Sequence, residues 1–344
     1  MDIAFGPIPC RFGRSLGINN MPPRHCSYSC IYCQVGPTTA TEIAPGGFYS
    51  PEEIRRQVGE RLVTLSERGE RIDFLTFVPD GEPSLDSHLS EAIDALRDLG
   101  LPIAVISNAS LIWRADTRAA LARADRVSVK IDCIDENTWQ RINRPHPDLR
   151  LADILSGIRA FASSYTGALV SETMLIDGIN DNAAHIEALA HFLSETGIAQ
   201  AYLAIPHRPP AVSGVHGPDE AVVTRAHECL KARSIQVELL TGYVGEHFSF
   251  SGDLRRDLLA ITAVHPLRES AVRALAEKAH VDLSGLARLL DSGDLRRVVH
   301  EGEPFYIRRL HQDAALPRHD IESPGQSGSC ITPFNPTTSE NHHE

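Results

Sequence analysis

The sequence predicts an α/β protein, a partial parallel (β/α)6 barrel followed by a winged-helix-like module. Three observations predict it. Residues 70–206 alternate short β-prone apolar runs with amphipathic segments, the pattern of βαβ units on a parallel sheet. About six such units are present, too few to close an eight-fold barrel and suited to an open one. Beyond residue 252 the pattern changes to three short helical stretches and a hairpin. Periodicity alone leaves a doubly wound sheet open.

A first strand is expected near 16–19, and others at 73–78, 103–107, 126–131, 168–175 and 201–205. Helices are expected near 51–69, 87–99, 115–123, 136–142, 151–163 and 182–196. Ser50-Pro51-Glu52-Glu53 is a strong helix start: a cap, proline in the first turn, then acids. Asp181 is expected to cap the helix at 182 in the same way. Leu254, Leu258, Leu259 and Ile261 mark one C-terminal helix, and 269–279 and 284–290 mark two more. Residues 297–300 and 305–307, joined by Glu301-Gly302-Glu303-Pro304, read as a hairpin. The tail, rich in Ser, Pro, Thr, Asn and Gly, reads as disordered. The expected domains are therefore 1–245, 246–312 and 313–344.

The chain has 344 residues, 42% hydrophobic and 23% charged, which excludes a collagen-like or wholly disordered protein. Its net charge of -12 argues against generic polyanion binding. That acidity lies on the body and the tail: residues 1–50 carry +1 and residues 246–312 are neutral. A neutral module favours packing or partner binding over DNA contact. No apolar run reaches the ~20 residues of a membrane span, and the amino end lacks the pattern of a secretory signal. No membrane association is expected, and the cytoplasm is the expected compartment.

Seven cysteines are scattered at odd spacings, a poor disulfide framework. Three of them cluster as Cys26-x3-Cys30-x2-Cys33. On one helix the first and last would lie about 10 Å apart along the axis, too far to share a compact metal cluster. If all three bind one cluster, the segment must be a loop, as Pro22-Pro23 and the Ser- and Tyr-rich spacers favour. A buried helical stripe of cysteines is the bland alternative. Structural zinc wants four ligands, with His25 or Cys10 as the fourth. Soft thiolates suit iron–sulfur chemistry, and a cubane on three cysteines leaves one iron open to a ligand. Cys10, Cys133, Cys229 and Cys330 show no second cluster spacing, and His342 and His343 belong to the tail.

With Tyr32 before the last cysteine, this motif resembles that of the radical S-adenosylmethionine (SAM) superfamily. Residues Phe5 to Pro9, Ser15 to Asn19 and Cys26 to Gly36 resemble its branch of Fe–S oxidoreductases related to wyosine-base-forming tRNA enzymes. The likeness covers roughly residues 1–245. It implies that Cys26, Cys30 and Cys33 ligate a [4Fe–4S] cluster whose open iron chelates SAM. Reductive cleavage would give a 5′-deoxyadenosyl radical that abstracts hydrogen from an unidentified substrate. It also implies an electron donor such as a flavodoxin or ferredoxin. The family's Gly-Gly-Glu motif, which holds the SAM ammonium group, is matched by Asp80-Gly81-Glu82, with Asp80 in place of the first glycine. Tyr32, Gly81 and Glu82 are thus expected at the cofactor.

Other candidates come from strand ends, where ligands of parallel sheets gather. Asn108 is placed to bond a ribose or carboxylate, and Asp132 to reach ribose hydroxyls or the substrate. Lys130, inside an apolar strand, is expected to pair with Asp132 or Glu172. Arg144 and Arg208 are expected to bind an anionic group of SAM or substrate, or else to lie on the surface. Arg11, Arg14 and Arg24 are expected near the cluster. The branch points to tRNA modification, which the acidic body opposes, so RNA is a less favoured substrate. A metal-stabilised nucleic-acid-binding protein and a catalytically idle scaffold are the readings from other classes.

Overall fold

A computed structural model describes residues 3–38, 40–240, 253–278, 280 and 283–309. The expected boundary at 245–246, the tail 313–344, Cys330, His342 and His343 lie outside the described residues. β1 (Ala4–Cys10) and β2 (Gly13–Ile18) form an antiparallel hairpin. β3 (Phe74–Phe77), β4 (Ile103–Ser107), β5 (Arg126–Lys130), β6 (Ala168–Met174), β7 (Gln200–Ala204) and β8 (Gln236–Leu240) follow, each parallel to its neighbour. The eight strands lie side by side in chain order. Helices α1 (Pro51–Glu67), α2 (Leu89–Leu96), α3 (Ala115–Leu121), α4 (Glu136–Asn143), α5 (Leu151–Ser164), α6 (Ala183–Thr196) and α7 (Glu220–Lys231) fill the connections.

The sheet has seven parallel strands rather than six, because β8 extends it, and β1 adds an antiparallel edge. Both extra strands were hard to read. β1 holds Pro7 and Pro9, which a sheet accepts only at an edge or a bulge, and its register does shift between Phe5 and Ile8. β8 is half-exposed, so its apolar alternation is weak. The α1 start is as read: Ser50 Oγ accepts the Glu53 N–H at 3.2 Å. α6 is capped one residue later than expected, by Asn182, whose Oδ1 accepts the His185 N–H at 3.1 Å.

One sheet face buries Leu16, Leu75, Val105, Val127 and Leu203 against the helices. The other face is curled. Phe12, in the β1–β2 turn, lies 5.8 Å from the ring of Phe74 on β3 and 6.4 Å from that of Tyr202 on β7. In a flat sheet those strands would be roughly 19 Å apart. One ring meets both only because the sheet wraps around it, as in a partial barrel. Phe12 closes the end of the barrel at which the parallel strands begin. The opposite end, at the strand carboxyl termini, receives the cysteine loop.

The C-terminal elements are α8 (Leu254–Val264), β9 (Leu267–Arg268), α9 (Glu269–Lys278), α10 (Ser284–Asp291), β10 (Leu295–His300) and β11 (Glu303–Arg308). They build an antiparallel sheet in the order β10-β11-β9 over a core of their own. Ile8 of β1 packs against that core, and Arg61 of α1 reaches the buried carboxylate of Asp257 on α8 at 3.2 Å. Among the described residues no helix is long and apolar enough to cross a membrane.

Candidate functional site

Cys26, Cys30 and Cys33 sit on the long loop between β2 and α1, in non-helical backbone. The helical-stripe alternative is therefore excluded. The loop is sewn to neighbouring strand and helix ends. The Arg24 N–H donates to the Asp80 carbonyl at 2.6 Å, and the Glu82 N–H donates to the His25 carbonyl at 2.9 Å. Ser29 and Ile31 donate to the carbonyls of Asn143 and Ile142 at 3.0 and 2.9 Å. His146 N–H donates to the Ser27 carbonyl at 2.9 Å. The latch at 80–82 is so tight that a Cβ on Gly81 would stand 2.1 Å from the His25 carbonyl oxygen. Gly81 thus admits close backbone approach, and what approaches it is the cysteine loop itself.

All three thiols are free and half-buried. Burial pushes the Cys26 thiol well up, with Cys30, Glu82 and Cys33 adding to the shift. Cys30 is pushed up to about 12 by burial, then by Asp132 and Cys33. Cys33 is raised by burial too, against the pull of the Val35 and Gly36 amides and of Lys130. Each thiol therefore lies within electrostatic reach of another. Two side-chain amides face them: Asn108 Nδ2 lies 3.5 Å from Cys26 Sγ, and Asn143 Nδ2 lies 3.4 Å from Cys30 Sγ. Asn108 also donates to Ser27 Oγ at 3.0 Å.

Asn143 was not singled out from sequence. It ends α4, where an asparagine usually signals nothing beyond a cap. Here it also donates to Asp132 Oδ2 at 2.7 Å. The Tyr32 hydroxyl donates to that same oxygen at 2.5 Å, and Asp132 Oδ1 accepts the Met174 N–H at 2.9 Å. Asp132 is thus committed to bracing Tyr32 and Asn143, behind Cys30. Glu82 is likewise engaged. Its Oε1 accepts from Ser84 N, Ser84 Oγ and Ser107 Oγ at 3.0, 2.6 and 2.7 Å. Its Oε2 accepts the Asn108 N–H at 2.6 Å, which leaves that oxygen one further acceptor position. Asp80 differs: it is 2% exposed, and both its oxygens lack a hydrogen-bond partner. Burial pushes it up to about 7, against the pull of Arg308 and Arg24.

Lys130 pairs with Glu172 at 2.6 Å rather than with Asp132, and its ammonium lies 4.7 Å from the Tyr32 ring centroid. Of the three N-terminal arginines, Arg24 alone belongs to the cysteine loop. Arg11 pairs with Glu172 inside the barrel and Arg14 pairs with Glu70, because residues 11–14 turn at the far end of β2. Arg208 is drawn to the loop, donating to Gln34 Oε1 at 3.0 Å. Arg144 is exposed, and it is its carbonyl, not its guanidinium, that meets the loop at Ser29. His25 faces Glu42 at 3.1 Å. Among the described residues no three His, Cys, Asp or Glu side chains converge on a single metal ion. A cubane asks for no such convergence, since each thiolate takes a different iron.

The profile of the radical SAM superfamily matches residues 21–193, half of the chain, spanning the cysteine loop and the strands around it. The chain belongs to the radical SAM superfamily. A UPF0026 protein of Methanocaldococcus jannaschii is 42% identical over 315 residues, 90% of this chain and 97% of that protein. A UPF0026 protein of Helicobacter pylori is 34% identical, covering 60% of this chain and 67% of the relative. The crystal structure of a radical SAM methyltransferase from Sphaerobacter thermophilus matches with a TM-score of 0.52 at 18% identity, over 67% of each chain, a likeness of fold. Radical SAM enzymes use a [4Fe–4S] cluster and SAM, together with a reductant and a substrate. The residues present fit the cluster: three free, soft thiols on one loop, with amide donors facing two of the sulfurs.

Proposed function

We propose that this radical SAM enzyme holds its [4Fe–4S] cluster by Cys26, Cys30 and Cys33 and abstracts hydrogen from a substrate beneath the C-terminal elements. The observation that carries this reading is the trio of free thiols on one loop at the carboxyl ends of the strands. When bound, the cluster and SAM supply one-electron cleavage of the sulfonium and a 5′-deoxyadenosyl radical.

The chain's own residues do the placing. Asn108 and Asn143 donate toward Cys26 and Cys30 and so tune the cluster's potential. Tyr32, locked by Asp132, fixes the backbone between Cys30 and Cys33. Glu82 offers the remaining acceptor position of Oε2 to the SAM ammonium group, and Asn108 lies beside it. Gly81 keeps the loop against β3. Asp132 reaches the cofactor through Tyr32 and Asn143, a positioning role. A flavodoxin or ferredoxin is the proposed reductant.

Anaerobic reconstitution followed by reduction in the presence of SAM tests the reading. Visible absorbance of a [4Fe–4S] cluster and formation of 5′-deoxyadenosine are expected. Zinc without iron or sulfide, or a loaded cluster that yields no 5′-deoxyadenosine, would refute it.

Asn143 gives a second prediction. In Asn143→Ala the Cys30 sulfur loses a donor and Asp132 loses one of its bonds. Cluster binding is expected to weaken by about 10–100-fold, the usual effect of removing a group that supports a metal ligand. The potential is expected to move negative, because an N–H donor stabilises the more negatively charged reduced cluster. Chelator-driven bleaching and a redox titration read the two effects separately. A purely structural role leaves the potential unchanged.

A further inference from the structure

A cavity of about 240 Å³ lies between the cysteine loop and the C-terminal strands. Cys33, Gln34, Arg24, Arg296 and Arg308 are among the residues that line it, the arginines coming from three separate segments: the loop, β10 and β11. The charged residues of its lining are all arginines, in a protein whose net charge is -12. Arg24 Nε is buried without a hydrogen-bond partner, and Arg308 spends one nitrogen on the Leu259 carbonyl at 3.0 Å. Asp80 lies within electrostatic reach of Arg24 and Arg308, yet its oxygens accept no hydrogen bond from either. Just beyond, Arg208 and Arg268 lie within reach of one another and of His207. Two half-buried arginines, Arg24 and Arg308, beside an exposed one, Arg296, leave guanidinium donors that an anion can take up.

We propose that this cavity binds a phosphoryl group of the substrate, and that the substrate is a small phosphorylated molecule. A carboxylate is satisfied by one planar fork, whereas three arginines from separate segments suit a tetrahedral group with three or more acceptor oxygens. The volume leaves room for a phosphorylated fragment and not for a helical nucleic acid. Cys33 in the cavity wall puts the bound molecule next to the cluster of the proposed function, on which this inference rests. The C-terminal elements then have a role in recognition, supplying Arg296 and Arg308.

Calorimetric titration of the reconstituted full chain with inorganic pyrophosphate, with and without saturating SAM, tests the proposal. Pyrophosphate is expected to bind in both conditions. Arg296→Gln and Arg24→Gln are each expected to weaken it by about tenfold or more, the loss of a charge-assisted bond. Arg296 is exposed, so its variant folds even where Arg24→Gln does not. Arg255→Gln, on α8 and paired with Asp294, is the control that leaves pyrophosphate affinity unchanged. No measurable binding, affinity unmoved by both cavity variants, or displacement by SAM overturns the proposal; in the last case the cavity belongs to the carboxylate of SAM. A single-stranded RNA that binds more tightly than pyrophosphate through the same arginines overturns the small-molecule assignment. The titration does not depend on radical chemistry. A protein that takes pyrophosphate but no iron–sulfur cluster therefore fails the proposed function, while the phosphoryl site stands.

Discussion

Cys30→Ala is expected to erase the cluster's absorbance and to bring 5′-deoxyadenosine formation down to background, with the fold intact. Cys26 and Cys33 would remain as two ligands for a cube that needs three. The loop around position 30 keeps its backbone bonds, since Ser29 and Ile31 donate to the Asn143 and Ile142 carbonyls independently of the side chain between them. Asn143 keeps Asp132. Removing a thiol held protonated by burial also takes no charge from the cluster-free protein. The thermal midpoint of the cluster-free variant is therefore expected to stay within a few degrees of the parent. Anaerobic reconstitution, iron and sulfide content and product analysis read the loss. A variant that still carries a full cluster would remove Cys30 from the ligand set.

The cysteine spacing was legible because it is local. Three thiols within eight residues are a chemical statement that needs no tertiary context, and Pro22-Pro23 argued for the loop that the structure has. The strands and helices were legible for the same reason: 73–78 and 103–107 are apolar runs, and Ser50-Pro51 announces α1 through bonds no longer than one turn. What surrounds the thiols was not legible. Tyr32 and Asp132 are 100 residues apart and meet only because β5 ends beside the loop. Asn143 carries no signal in its own neighbourhood. Arg296 and Arg308 sit in a segment of zero net charge, where a sum over residues hides two arginines aimed at one cavity. Asp132 is expected at the cofactor from its place at a strand end, and Glu82 from the family's motif. Strand ends are also where neighbouring amides and hydroxyls find acceptors, and such donors engage both carboxylates.

Gly81 is a position where contact, rather than backbone conformation, forbids a side chain. Its φ is not among the positive ones, so alanine can adopt the backbone; the obstacle is contact. A Cβ there would meet the His25 carbonyl oxygen at 2.1 Å, with the His25 carbonyl carbon and the Met21 sulfur both at 3.0 Å. The first two are backbone of the residue before Cys26 and have no rotamer to retreat into. Gly81→Ala must push the loop outward, breaking the Glu82-to-His25 and Arg24-to-Asp80 bonds. Overpacking of this kind costs about 1–3 kcal/mol, and each lost bond adds about 1 kcal/mol. Gly59, in the middle of α1, has nothing within 4 Å of its built Cβ. Gly59→Ala is expected to stabilise the protein by about 1 kcal/mol, by helix propensity alone. Gly81→Ala is expected to destabilise it by about 3–5 kcal/mol and to lower cluster content by about tenfold or more, since the displaced segment carries Cys26. Denaturant unfolding of the cluster-free forms and iron content of the reconstituted ones separate the two effects. If Gly81→Ala unfolds like the parent and takes up a full cluster, the loop is not held against β3 in the way described.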